Sequence, residues 1–148
     1  MKFRISLLLL ILTLAASSPL TAHASDCTNA TIKGAWVNSL HGLIFLPNGI
    51  SLALSGVTKT TYDGLGNATV LDASGVNGNV PAGWRTGTST YTVNPDCTGT
   101  ETISFPGQAD IHAQFVLAQS GNKLHFVNID PGISLSGEAE RVDAPKGR

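Results

Sequence analysis

The sequence predicts an all-β protein, a single eight-stranded antiparallel up-and-down barrel with one disulfide; a β-sandwich is the alternative. Three observations predict it. Beyond residue 24 no stretch keeps a 3.6-residue apolar period, and short runs rich in Thr, Val, Ile, Leu and aromatics recur instead. Clusters of Gly, Asn, Asp and Pro separate those runs by connections too short for crossover helices, so neighbouring strands must be antiparallel. The last three runs share one apolar face under two independent turn assignments.

Residues 1–24 read as an export signal rather than structure. Lys2 and Arg4 form a basic start, Ile5 to Ala16 is apolar apart from Ser6 and Thr13, and Ala22-His23-Ala24 is a small-x-small cleavage site. The apolar run falls short of the ~20 residues that span a bilayer. Cleavage after Ala24 leaves a domain at 25–142 and a short tail at 143–148, expected to be disordered. Without Lys2 and Arg4 the basic count falls from 9 to 7 against 10 acids, a net charge of about −3. Such a surface does not track a phosphate backbone, so nucleic acid is not an expected partner. No second apolar stretch reaches membrane length, so no membrane span is expected after cleavage. The expected location is the periplasm or the outside of the cell.

Cys27 and Cys97 both lie in the exported part, where two thiols of a small domain usually pair. Their bridge would close a loop of about 71 residues, and chain entropy then gives about 4.4 kcal/mol. That is a large share of the roughly 5–15 kcal/mol that holds a small domain together.

The expected strands cover roughly 34–46, 50–62, 67–74, 84–93, 99–105, 110–118, 123–130 and 133–142. Pro47-Asn48-Gly49, Asp63-Gly64, Asn94-Pro95-Asp96, Pro106-Gly107, Gly121-Asn122 and Pro131-Gly132 supply the fixed or positive φ of tight reversals. A two-residue turn at Pro131-Gly132 sets Phe126 opposite Gly137 and Leu124 opposite Ala139. A four-residue turn at Gln119 to Asn122 sets Leu117 opposite Leu124, Phe115 opposite Phe126 and Ala113 opposite Asn128. Both put Phe115, Leu117, Leu124, Phe126, Ile133 and Leu135 on one face. A sheet curled on itself hides that face and removes both edges. Residues 72–83, rich in Gly, form the longest irregular stretch and could cover a barrel mouth.

From Thr86 to Thr100 the chain reads Thr-Gly-Thr-Ser-Thr-Tyr-Thr-Val-Asn-Pro-Asp-Cys-Thr-Gly-Thr, and Asp63-Gly64-Leu65-Gly66-Asn67 is a D-G-x-G-N hairpin. With Cys27 and Gly34-Ala35-Trp36, these segments resemble uncharacterised exported bacterial proteins carrying a TGTYTVNPDCTGT-like motif. The sequence departs from that pattern at Ser89-Thr90 and at the polar Glu101. The resemblance implies a calycin-like barrel of the allene oxide cyclase type with a hydrophobic lumen; it brings no catalytic residue with it.

Other signals reduce to structure. Gly64-x-Gly66 has no following helix and reads as a hairpin turn, not a phosphate loop. Ser120-Gly121-Asn122-Lys123 has the S-x-x-K spacing of serine acylases but lies on a β-turn, not a helix. His112 and His125 would sit roughly 13 Å apart, too far for one metal. The Thr86, Thr88, Thr90 and Thr92 row reads as a solvated strand face. No metal site and no cofactor is expected.

Glu101 and Tyr91 are the candidate catalytic groups, because a carboxylate inside an apolar barrel acquires a raised pKa suited to acid–base work. Glu101 sits inward if Ile103 and Phe105 do, with Arg85 as a possible partner. Trp84, Arg85, Phe115, Phe126 and Asn128 are the candidate ligand-binding residues, with Trp84 at an entrance or plugging an end. The expected function is binding of a small hydrophobic molecule or of an envelope protein's surface. A lumenal isomerase or cyclase and a purely structural envelope module are the alternatives.

Overall fold

The computed structural model describes residues 26–142, so the export signal and the tail lie outside the described residues. Its eight strands are β1 (Gly34–Phe45), β2 (Ser51–Tyr62), β3 (Asn67–Val76), β4 (Arg85–Val93), β5 (Thr98–Ser104), β6 (Ile111–Ala118), β7 (Lys123–Asn128) and β8 (Ile133–Arg141). Each pairs antiparallel with the next, and β8 pairs with β1, which closes the barrel. The sandwich alternative is therefore excluded.

The register is the one the turns dictate. Phe115 faces Phe126, Leu117 faces Leu124 and Ala113 faces Asn128; Leu124 faces Ala139 and Phe126 faces Gly137. Strand ends agree with expectation to within one residue except at two places. β3 runs on to Val76 because its last residues pair with β2, from Thr58 opposite Asp72 to Leu54 opposite Val76, so the irregular stretch is 77–84. β7 stops at Asn128 because side chains take over there. The Asn128 Oδ1 accepts from the Asp130 backbone N–H at 2.9 Å, and the Asp130 carboxylate accepts from the His112 N–H at 2.8 Å.

Inside, large and small residues alternate around the wall. One hydrogen-bonded row reads Gly99, Phe115, Phe126, Gly137, Leu40, Gly56 and Ser74 across β5, β6, β7, β8, β1, β2 and β3. A Cβ on Gly99 would lie 2.2 Å from the Phe115 ring, and one on Gly137 would lie 2.7 Å from the Phe126 ring. The two rings therefore occupy the space the glycines leave, which lets a narrow barrel hold both.

The two ends are unlike. At one end the 3-10 turn Asn29–Ile32 crosses the barrel and buries Ile32 completely. Trp36 donates from Nε1 to the Ile32 carbonyl at 2.7 Å. The Arg141 guanidinium lies 4.7 Å over the Trp36 ring and donates to the carbonyls of Thr31, Lys33 and Gly121. Cys27 is bonded to Cys97 with a Cα–Cα distance of 5.0 Å, tying the segment before the plug to the β4–β5 turn. The other end, the mouth, carries the loops at 46–50, 77–84, 105–110 and 129–132. Phe45, Ile50, Val80, Trp84 and Ile129 there are each about half exposed.

Candidate functional site

Alternation along each strand sends one residue in two into the lumen, and on β1 to β4 those residues include the polar Asn38, Thr58, Thr60, Tyr62, Asp72, Ser74, Arg85 and Ser89. A second row across the ladder reads Leu117, Leu124, Ala139, Asn38, Thr58, Asp72 and Arg85. Its first half is apolar and its second half hydrogen-bonded. Thr58 donates to the Asn38 Oδ1 at 2.5 Å. Arg85 donates from Nε to the Asp72 Oδ2 at 2.8 Å, and its Nη2 pairs with the same oxygen and bonds the Ser74 hydroxyl at 2.8 Å. The guanidinium also lies 4.9 Å over the Phe105 ring and reaches Gln108 of the β5–β6 loop. Arg85 thus lies across the mouth side of the lumen, its charge matched by Asp72.

Deeper in, Glu101 is 9% exposed. Its Oε1 accepts from the Ser89 hydroxyl at 2.6 Å and its Oε2 from the Tyr62 phenol at 3.0 Å. Burial pushes the carboxyl's pKa up, against the opposing pull of those two donors. Burial, reinforced by the neighbouring Glu101, holds the Tyr62 phenol well above its usual range. Both donors are neutral hydroxyls, so the carboxyl has no cation beside it. Tyr62 is fixed by edge-to-face contacts with Trp36 at 6.4 Å and with Tyr91 at 4.9 Å between ring centres.

The lumen holds a cavity of about 100 Å³. Its lining mixes apolar side chains, among them Leu40, Leu54, Val70, Leu124, Phe126 and Leu135, with the polar Glu101, Tyr62, Thr60, Asn38, Asp72 and Arg85. No buried side-chain polar atom among the described residues lacks a hydrogen-bond partner. An engineered apolar cavity of about 150 Å³ takes up one benzene, which sets the scale of a guest.

The chain matches no protein-family model and no curated protein. Its structural likeness is to designed barrels. A redesigned β-barrel superposes with a TM-score of 0.52 at 18% identity, over 78% of this chain and 95% of that one. A fluorescence-activating β-barrel designed de novo gives a TM-score of 0.47 at 12% identity, over 74% of this chain and 93% of that one. The first likeness is to the fold of a small β-barrel.

Of the residues singled out from sequence, Glu101, Arg85, Phe126 and Asn128 line the cavity. Phe115 packs in the apolar cluster nearer the plugged end and lies outside the lining, as does Trp84, which is 58% exposed beside the mouth. Tyr91 also lies outside it: its phenol oxygen accepts from the Gly64 N–H at 2.9 Å and donates to the Asn29 carbonyl at 3.3 Å. Arg85 pairs with Asp72 rather than Glu101, because Asp72 is its cross-strand partner. His112 and His125 point outward, to Asp130 and Glu138. Sequence reasoning missed Tyr62, Asn38, Thr58 and Asp72. Their inward position was readable from alternation once the Asp63-Gly64 turn was fixed, but polar residues carry no mark of which face they take.

Proposed function

We propose that this protein is an exported barrel that binds one small, largely apolar molecule in its lumen, with the molecule's polar group against the wall that carries Glu101 and Tyr62. The observation that carries this reading is the cavity of about 100 Å³ that the lumenal side chains leave open. A barrel serving only as a structural module would fill that space, since small barrels close their interiors with side chains. The plugged end, the mouth spanned by Arg85 and Phe105, and the exposed apolar side chains of the rim support access from one side. The disulfide suits an oxidising compartment, and no helix among the described residues is long and apolar enough to cross a membrane.

The test is thermal unfolding with water-soluble compounds of about four to six heavy atoms, no larger than benzene. Members that fit raise the melting temperature in proportion to log concentration and shift the Trp36 indole N–H resonance. Absence of both effects across a set of ring and branched compounds rejects lumenal binding.

A second reading is favoured by one contact. The Tyr62 hydroxyl on Glu101 gives a buried acid–base pair facing the cavity, the minimum for proton transfer on a bound isomerase substrate. A structural role for the pair predicts no turnover of any guest that binds.

A further inference from the structure

Glu101 poses a question that its hydrogen bonds leave open. A carboxylate taken out of water is costly unless it is paired, and buried charges in proteins normally sit beside a cation. Asp72 obeys this rule through Arg85. Glu101 does not: its bonded partners are Ser89 and Tyr62, both neutral. Each carboxylate oxygen carries about two acceptor positions, and one on each is taken, so the outer position on each oxygen remains for a guest.

The other charges of the lumen bear on what that guest is. Among the cavity-lining residues the ionisable groups are Tyr62, Asp72, Arg85 and Glu101. Asp72 and Arg85 cancel, and Arg85 is further occupied by Ser74 and Gln108. Ionised Glu101 therefore leaves the cavity with one net negative charge. A carboxylate or phosphate guest would meet that charge with no free cation to answer it. An ammonium would supply the missing partner, with a charge-assisted bond to Glu101. The Tyr62 ring, whose hydroxyl donates to the carboxylate, would receive the cation favourably on any exposed face.

We propose that the lumen is a site for a small amine, whose ammonium group pairs with Glu101 while its hydrocarbon part fills the space among Leu40, Leu54, Val70, Leu124 and Phe126. This rests on the lumenal-binding reading above and narrows it to one chemical class.

The experiment compares three guests of matched size: cyclopentylamine, cyclopentanol and cyclopropanecarboxylate. Binding to the disulfide-bonded protein is followed by calorimetry and by the Trp36 indole resonance. Cyclopentylamine is expected to bind about tenfold or more tightly than cyclopentanol, and the carboxylate more weakly than either. Glu101→Gln is expected to erase the preference for the amine, bringing the affinities of cyclopentylamine and cyclopentanol to within about twofold of each other. Should that variant fail to fold, the Glu101 carboxyl carbon resonance of the unaltered protein decides. Adding the amine is expected to move it to the ionised position at a pH where the empty protein still holds the proton. Cyclopentanol binding as tightly as the amine overturns the proposal while leaving lumenal binding intact. Failure of all three guests to perturb Trp36 removes both.

Discussion

The Arg141 guanidinium lies 4.7 Å over the face of the Trp36 ring and donates to three backbone carbonyls, those of Thr31, Lys33 and Gly121. One side chain thus ties the last strand to the first, to the 3-10 turn and to the β6–β7 connection. Removing it leaves three carbonyls, that of the buried Gly121 among them, without their donor and uncovers the indole. Arg141→Ala is expected to cost about 2–3 kcal/mol in urea unfolding. Arg141→Lys is expected to recover less than half of that, because a single ammonium cannot span three carbonyls or stack on the ring. A loss within the error of the measurement would show that the plug holds without it.

Closure of this end also explains why the sequence signals clustered where they did. Tyr91 takes the Gly64 N–H on its phenol oxygen and gives its own N–H to the Gly66 carbonyl at 2.9 Å, so the D-G-x-G-N hairpin and the threonine-rich segment meet. Gly99 leaves room for Phe115, and Cys97 accepts a positive φ of 67° at the turn. Tyr91 is held there by its hydrogen bonds, Gly99 by the space the Phe115 ring takes and Cys97 by its bond to Cys27. The register of the last three strands was legible from the turns at Gln119 to Asn122 and Pro131-Gly132, and the disulfide from the cysteine count. The lumen is different. Thr58, Asp72, Ser74 and Glu101 are polar residues on strands whose outer faces are polar too, so composition cannot separate the lumenal face from the wetted one. Only the closed register shows that Asn38, Thr58, Asp72 and Arg85 stand in one row.

The disulfide holds the plug from its other side, through the Cys27 N–H to Pro95 carbonyl bond and the covalent link to Cys97. Its chain-entropy contribution is about 4.4 kcal/mol for the loop it closes. The Cys27→Ser, Cys97→Ser double variant is expected to lose about that much in denaturant unfolding, with amide exchange rising first around Asn29–Ile32. Uniform exchange across the barrel would place the loss in the whole fold instead.

Asp63 gives stability an acid limb. Its Oδ1 accepts from the N–H groups of Leu65 and Asn67 at 2.6 and 3.0 Å, and its Oδ2 from the Asn67 amide at 3.0 Å. Those bonds, led by the one from Asn67, lower its pKa to about 2. A depressed folded pKa contributes stability above the unfolded value of about 3.9 and loses it as pH falls toward the folded one. Asp63→Asn is therefore expected to destabilise at pH 6 and to match the unaltered protein near pH 2. An equal deficit at both pH values would mean that the carboxylate's charge is irrelevant to the turn.

Glu101 acts with the opposite sign. Its raised folded pKa means that the folded state holds a proton which the unfolded chain has already released, so stability is fullest below the unfolded value of about 4.3 and falls as pH rises through the folded one. Glu101→Gln keeps an acceptor for Ser89 or Tyr62 and removes the ionisation. It is expected to melt higher than the unaltered protein at pH 8, with the gap closing toward pH 4. A variant that melts lower at pH 8 would show that the ionised carboxylate's two hydrogen bonds outweigh its burial.

Ala113 separates the cavity from the stability of the wall around it. It lines the space, is 6% exposed, and stands opposite both Glu101 and Asn128 in the ladder. Adding three carbons there fills volume that is already empty. Overpacking a tight core typically costs about 1–3 kcal/mol, whereas filling a void recovers buried contact at roughly 0.8 kcal/mol per methylene. Ala113→Leu is accordingly expected to melt at or above the temperature of the unaltered protein while losing the stabilisation that cyclopentanol or cyclopentylamine confers. A lower melting temperature with guest binding retained would mean that the guest sits elsewhere. That outcome would remove the lumen as the site, whatever the chemistry of Glu101.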